Sequence, residues 1–136
     1  MAGMADEALG DRIRRFFAAR APEVIAVYLF GSEARGRATP RSDIDLGVLF
    51  GREVGDGLDA EDRRLEDDLV RDLGREVDLI ALDTAPPDLV HRVMRDGIIL
   101  HESDRAARIR FEVKARNEYW DLLPILEQYR ARALRP

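Results

Sequence analysis

Asp43 and Asp45 are one residue apart in the run Asp43-Ile-Asp-Leu-Gly-Val-Leu-Phe50, where Ile44, Leu46, Val48 and Phe50 recur with a period of two. That period marks a strand, so the two carboxylates share the face opposite the apolar residues. Carboxylates so placed can bind one divalent cation or bridge two, and a cation removes the cost of burying them as unpaired charges. Asp78 lies in a second strand-like run, Glu76-Val-Asp-Leu-Ile-Ala-Leu82, on the side away from Val77 and Leu79. It can supply a third carboxylate from the same side of the sheet. Asp83 competes for that role but follows the strand, so Asp78 is preferred. An all-oxygen donor set suits Mg²⁺, which keeps some waters and takes further ligands from substrate phosphates. Two such ions support in-line displacement at phosphorus, one lowering the pKa of the attacking hydroxyl and one neutralising the leaving oxygen. Asp78 would act as metal ligand or general base.

Upstream stands Gly31-Ser-Glu-Ala-Arg-Gly36, at the end of the apolar run Val24 to Phe30. A glycine there lets the backbone turn sharply and exposes amide hydrogens to a phosphate, and Ser32 adds a hydroxyl donor. The segment is not a P-loop, because Arg37-Ala38 occupies the place where that motif requires Lys-Ser or Lys-Thr. Gly31, Ser32, Asp43 and Asp45 at fixed spacing would recur by chance in roughly one chain of this length in a thousand.

The elements that must carry these residues follow from periodicity. An amphipathic helix is expected from Ala5 to Arg20, with Leu9, Ile13 and Phe16 or Phe17 on its apolar face, ended by Pro22. Strands are expected over Val24–Phe30, Asp43–Phe50, Glu76–Leu82 and Ile98–Leu100. Between the first two lies a turn, Gly31 to Ser42, with room for a short helix. After a glycine-rich loop at 51–57, Leu58, Leu65, Leu69 and Leu73 mark a second helix closed by Gly74. Pro86 and Pro87 open a short helix reaching Asp96, capped by Gly97. Ser103 is the expected cap of a long helix carrying Ala106, Ile109, Val113 and Trp120 at core spacing, with Pro124 bending or restarting it. The expected fold is α+β with alternating elements, a mixed sheet of about four strands with helices packed on it.

The chain has 136 residues, 46% hydrophobic and 36% charged, which suits one globular domain over residues 1–136, with a core at about 5–101 and a helical segment at about 103–134. There is no cysteine, so disulfides, thiolate metal sites and thiol nucleophiles are excluded. No apolar run is long enough to span a bilayer, and the N-terminus lacks a signal-peptide core, so a cytoplasmic protein without membrane contact is expected. The net charge of -5 is uneven: from Arg105 onward eight Lys/Arg face four Asp/Glu, leaving an acidic body. Direct nucleic-acid binding is therefore not expected, and the basic tail is a solvated helix face or a docking surface. His91 and His101 read as surface or helix-end residues rather than ligands.

Gly31-Ser32, ten residues, then Asp43-x-Asp45, with Ala34-Arg35-Gly36 inside, resembles the DNA polymerase beta-like nucleotidyltransferase superfamily. The likeness covers Val24 to Leu82 and points to its minimal single-domain form, the MNT antitoxins that accompany HEPN-domain ribonuclease toxins. The resemblance implies that Gly31 and Ser32 hold the triphosphate of ATP, that Asp43 and Asp45 bind Mg²⁺, with two ions expected, and that Asp78 completes the triad. Arg35 would hold phosphate or order the loop, with Arg41 and Ser42 as secondary candidates beside the triphosphate. It further implies transfer of AMP to an acceptor hydroxyl with release of pyrophosphate, the acceptor being a tyrosine of the cognate toxin. Two alternatives stay open: an antitoxin that works by binding alone, and a nucleotidyltransferase acting on a small molecule such as an aminoglycoside. The lack of a further domain leaves the acceptor side to a partner, in a homo- or hetero-oligomer. The C-terminal helices and the Tyr119-Trp120 pair are candidate docking surface, although core packing is the expectation for Trp120.

Overall fold

The computed structural model describes residues 7–37, 39, 42–52 and 58–134. The expected start of the first helix at Ala5, the candidate Arg41 and most of the loop at 51–57 lie outside them. The elements run α1 (Glu7–Arg20), β1 (Ala26–Phe30), α2 (Gly31–Ala34), β2 (Ile44–Leu49), α3 (Ala60–Leu73), β3 (Val77–Ala81), a 3-10 turn (Leu82–Thr84), α4 (Pro87–Asp96), β4 (Ile98–Glu102) and α5 (Arg105–Ala133).

Local chemistry sets the ends of these elements. Asp59 and Asp62 form a reciprocal capping box at the start of α3, and Gly74 closes that helix in the left-handed region at φ 68. Pro87 opens α4, where a missing N–H costs nothing. Gly97 ends α4, its N–H bonded to Val93 O at 2.7 Å, and a side chain there would meet that same carbonyl.

The four strands order as β3-β2-β1-β4. β1 runs antiparallel to both β2 and β4, and β2 runs parallel to β3, with α3 as the crossover. One face of the sheet presents Val27, Leu29, Ile44, Leu46, Val48 and Leu79 to Ile13, Phe17 and Leu69 of α1 and α3. The other presents Tyr28 and Leu49, joined by Leu82 of the 3-10 turn, to Val90 and Val93 of α4 and Ala115 of α5. Burying a large apolar side chain at such positions contributes about 1.5–3 kcal/mol, so both faces are firmly covered at their centres. The alternation along β2 then has a direct consequence, because its polar face is the one shared with α4.

α5 departs from the sequence expectation at its cap and in its inward face. Its cap is Asp104, which accepts from Ala107 N–H at 3.0 Å, while Ser103 Oγ instead donates to Val24 O at 2.7 Å. The helix is continuous through Pro124 and does not restart there. Its inward face carries Phe111 and Ala115, whereas Ile109 is 43%, Val113 46% and Trp120 59% exposed. The reason is polar: Arg108 pairs with Glu102 at 2.6 Å and Glu112, and Glu112 accepts from the buried Tyr28 hydroxyl at 2.9 Å. Charged residues satisfied by partners thus occupy the inward face, and counting apolar residues selects the wrong one. Among the described residues no helix is long and apolar enough to cross a membrane.

Candidate active site

The strand register assembles the site. Phe30, the last residue of β1, lies opposite Asp45 in the antiparallel pair, and Asp45 lies opposite Asp78 in the parallel pair. Gly31 follows Phe30 with φ 73, and a Cβ on it would stand 2.2 Å from Asp45 Oδ2. Only glycine lets the backbone turn directly over that carboxylate. The chain then makes the single turn α2, held by Arg35 N–H to Gly31 O at 3.2 Å and Arg37 N–H to Ser32 O at 2.9 Å. Just ahead of β2, Ser42 N–H donates to Thr39 O at 3.0 Å.

Gly31, Ser32, Arg35, Asp45 and Asp78 line one open cleft of about 390 Å³. Asp43 stands exposed just before β2, and its charge acts on Asp45. Burial first, then the charges of Asp78 and Asp43, push the Asp45 carboxyl above its ordinary pKa, with Arg35 opposing them. Carboxylates held in mutual repulsion are what a bound cation relieves.

Whether Mg²⁺ fits rests on this donor set. Among the described residues no three carboxylates close on one point unaided. Mg²⁺ needs only one or two, with water and substrate phosphates completing its shell. Asp45 and Asp78 on adjacent strands, Asp43 beside them, and the space left by the missing Gly31 side chain above Asp45 Oδ2 meet that requirement.

The other wall of the cleft belongs to α4, through Leu89, Arg92 and Asp96, with Phe30 and Ile80 as apolar surface between. These residues were missed by sequence reasoning. Leu89, Arg92 and Asp96 fall at i, i+3 and i+7, one line along the helix, and that line beside the buried Val90 and Val93 is the signal that could have found them. Arg35 and Arg92 form no ion pair among the described residues. The Asp96 carboxyl is held below its ordinary range by its hydrogen bond with Arg95, and the charges of Arg35 and Arg92 add to this.

Two sequence candidates sit elsewhere. Ser42 Oγ accepts from Thr39 N–H at 2.9 Å and is absent from the cleft lining, so it shapes the loop. Asp83 accepts from Phe50 N–H at 2.8 Å and Gly51 N–H at 2.9 Å, at the far end of β2 from Asp45. His91 stacks on Tyr119 at 3.7 Å between ring centroids, and His101 Nε2 lies 3.2 Å from Pro22 O, neither in the cleft.

Carboxylates facing a glycine turn, a serine and two arginines across one cleft at the end of a mixed sheet are an arrangement able to take a metal–nucleotide. The chain belongs to the polymerase beta nucleotidyltransferase family, whose model "Polymerase beta, Nucleotidyltransferase" matches residues 11–106. No curated protein sequence matches it significantly. Among solved structures it is similar to a chain of a toxin–antitoxin complex with AMP-PNP, at 28% identity and TM-score 0.77, covering 93% of this chain and 98% of that one. It is similar to a chain of the MntA–HepT toxin–antitoxin complex, at 25% identity and TM-score 0.72, covering 96% and 100%. A third likeness is to a complex of tri-AMPylated Shewanella oneidensis HEPN toxin with MNT antitoxin, at 25% identity and TM-score 0.72, covering 95% and 98%.

Proposed function

We propose that this chain is a Mg²⁺-dependent protein adenylyltransferase that moves AMP from ATP to a tyrosine hydroxyl of a cognate HEPN ribonuclease toxin, and so acts as its antitoxin. The observation that carries this reading is the placement of Asp45 against Asp78 beneath Gly31, in a chain whose solved relatives include an MNT antitoxin bound to a tri-AMPylated HEPN toxin.

In this reading the amides after Gly31 and the Ser32 hydroxyl donate to triphosphate oxygens, and Arg35 and Arg92 pair with the phosphates from two sides. Asp43, Asp45 and Asp78 hold Mg²⁺, which when bound lowers the pKa of the attacking hydroxyl and offsets charge on the leaving phosphate. The tyrosine oxygen forms a bond to the α-phosphorus, the bond from that phosphorus to the β-phosphate oxygen breaks, and pyrophosphate leaves. The phenolic proton passes to Asp78 or to water. Phe30, Ile80 and Leu89 offer an apolar surface for the nucleoside.

The test is transfer from α-labelled ATP with Mg²⁺ into host-lysate proteins and a co-expressed HEPN partner, comparing the native chain with Asp45→Asn. The expected result is one labelled protein, lost in the variant, with the label on tyrosine. Label retained by Asp45→Asn, or none with the native chain, overturns the reading.

A second reading, neutralisation by binding alone, shares with the first the partner surface that Trp120, 59% exposed, and Tyr129, 66% exposed, offer on α5, and differs in needing no transfer. In that case Asp45→Asn would still protect cells from the toxin.

A further inference from the structure

Arg75 touches two separate parts of the loop that carries the site. Its Nη2 pairs with Glu33 in α2 and donates to the carbonyl oxygens of Ser42 at 2.8 Å and Thr39 at 3.5 Å. Glu33 directly follows Ser32, and Ser42 directly precedes Asp43. Arg75 itself sits between Gly74, which closes α3, and the start of β3, three residues ahead of Asp78. One guanidinium therefore joins the phosphate turn, the start of the Asp43–Asp45 strand and the base of the Asp78 strand.

The loop needs such a tie. α2 is a single turn, too short to hold its shape alone. Glu33 is 5% exposed, and a carboxylate buried that far requires a partner. Apart from the ion pair, Glu33 Oε1 and Arg75 Nε are buried with no hydrogen bond among the described residues. A buried pair with incomplete hydrogen bonding is a weak device for overall stability, so its effect lies in where it puts the loop.

We infer that Arg75 and Glu33 are positioning residues, a clamp that sets the Ser32 turn against the carboxylates of Asp43, Asp45 and Asp78 and thereby fixes the affinity of the cleft for metal–nucleotide. The inference rests on reading that cleft as a metal–triphosphate site. Neither residue touches substrate.

The experiment uses the full chain with Arg75→Lys, Glu33→Gln and both together. Arg75→Lys keeps a cation beside Glu33 and so protects the fold, while a single ammonium cannot reproduce the planar grip on Glu33 and two carbonyls. Three quantities are read: melting temperature, amide hydrogen exchange without nucleotide, and binding of Mn²⁺ with AMP-PNP followed by the Mn²⁺ spin-resonance signal. The expected result is faster exchange at Arg35, Gly36, Arg37 and Ser42 with α1 and β4 unchanged, and Mn²⁺–AMP-PNP affinity about tenfold weaker. The double variant should be no worse than the weaker single, since both remove one connection. Unchanged loop exchange overturns the clamp. So does exchange that rises throughout the sheet in step with a lower melting temperature while affinity per folded molecule is intact. A native chain that binds Mn²⁺–AMP-PNP but labels no acceptor overturns the adenylyltransferase reading alone, the clamp being decided by the affinities. A native chain that binds no Mn²⁺–AMP-PNP overturns both.

Discussion

Asp45 and Asp78 stand at matched positions of a parallel strand pair, Asp45↔Asp78, although 33 residues separate them in sequence. Parallel pairing requires a crossover, which α3 supplies, and the side-chain period of two then points both carboxylates to the α4 side. Their repulsion is the electrostatic signature of the site.

Replacing Asp45 by Asn should abolish transfer and yet stabilise the metal-free protein. The folded-state pKa of Asp45 is raised above the ordinary 3.8, so its carboxyl favours folding below that value, and the contribution is lost as pH rises through the raised pKa. Asparagine keeps the shape without the charge. Because the group is partly exposed, the expected gain near neutral pH is only about 0.5 kcal/mol. Melting in chelator across pH should show the gap between variant and native chain closing below 3.8. A variant less stable than native at neutral pH would contradict this.

Gly31→Ala should damage both fold and function. Its Cβ would meet Asp45 Oδ2 at 2.2 Å, and φ 73 is strained for any L side chain. A loss of about 1–3 kcal/mol is expected, together with nucleotide binding too weak to saturate. Denaturant unfolding and AMP-PNP titration check the two effects separately.

Asp83 and Asp78 should separate cleanly. Asp83→Ala strips the acceptor from Phe50 N–H and Gly51 N–H and should cost about 1–3 kcal/mol, with transfer per folded molecule retained. Asp78→Asn should do the reverse, folding normally and failing in transfer. Reversed outcomes in a paired assay of stability and labelling would exchange their roles.

Trp120→Ala should change stability by no more than about 0.5 kcal/mol, because the side chain is 59% exposed. A core tryptophan would cost several times more. Affinity for the partner, measured by calorimetry, is expected to fall at least tenfold if α5 carries part of the docking surface.

Much of this protein is determined by its sequence alone. The period-two run around Asp43 and Asp45, the glycine at the end of β1 and the leucine stripe of α3 are local patterns, and local backbone geometry translates them directly into two strands, a turn and a helix. The same locality explains why the motif and its family likeness were legible. What only the tertiary structure decided involves partners distant in the chain. Which face of α5 turns inward depends on Tyr28 and Glu102 meeting Glu112 and Arg108, so Trp120 is exposed although its spacing suggested burial. The α4 wall of the cleft, and the reach of Arg75 to both ends of the loop, are likewise contacts between separate elements. Periodicity records which face of an element is apolar, but not which charged groups will find a partner when the elements meet. That pairing is settled by the packing itself, through the cost of burying a charge alone.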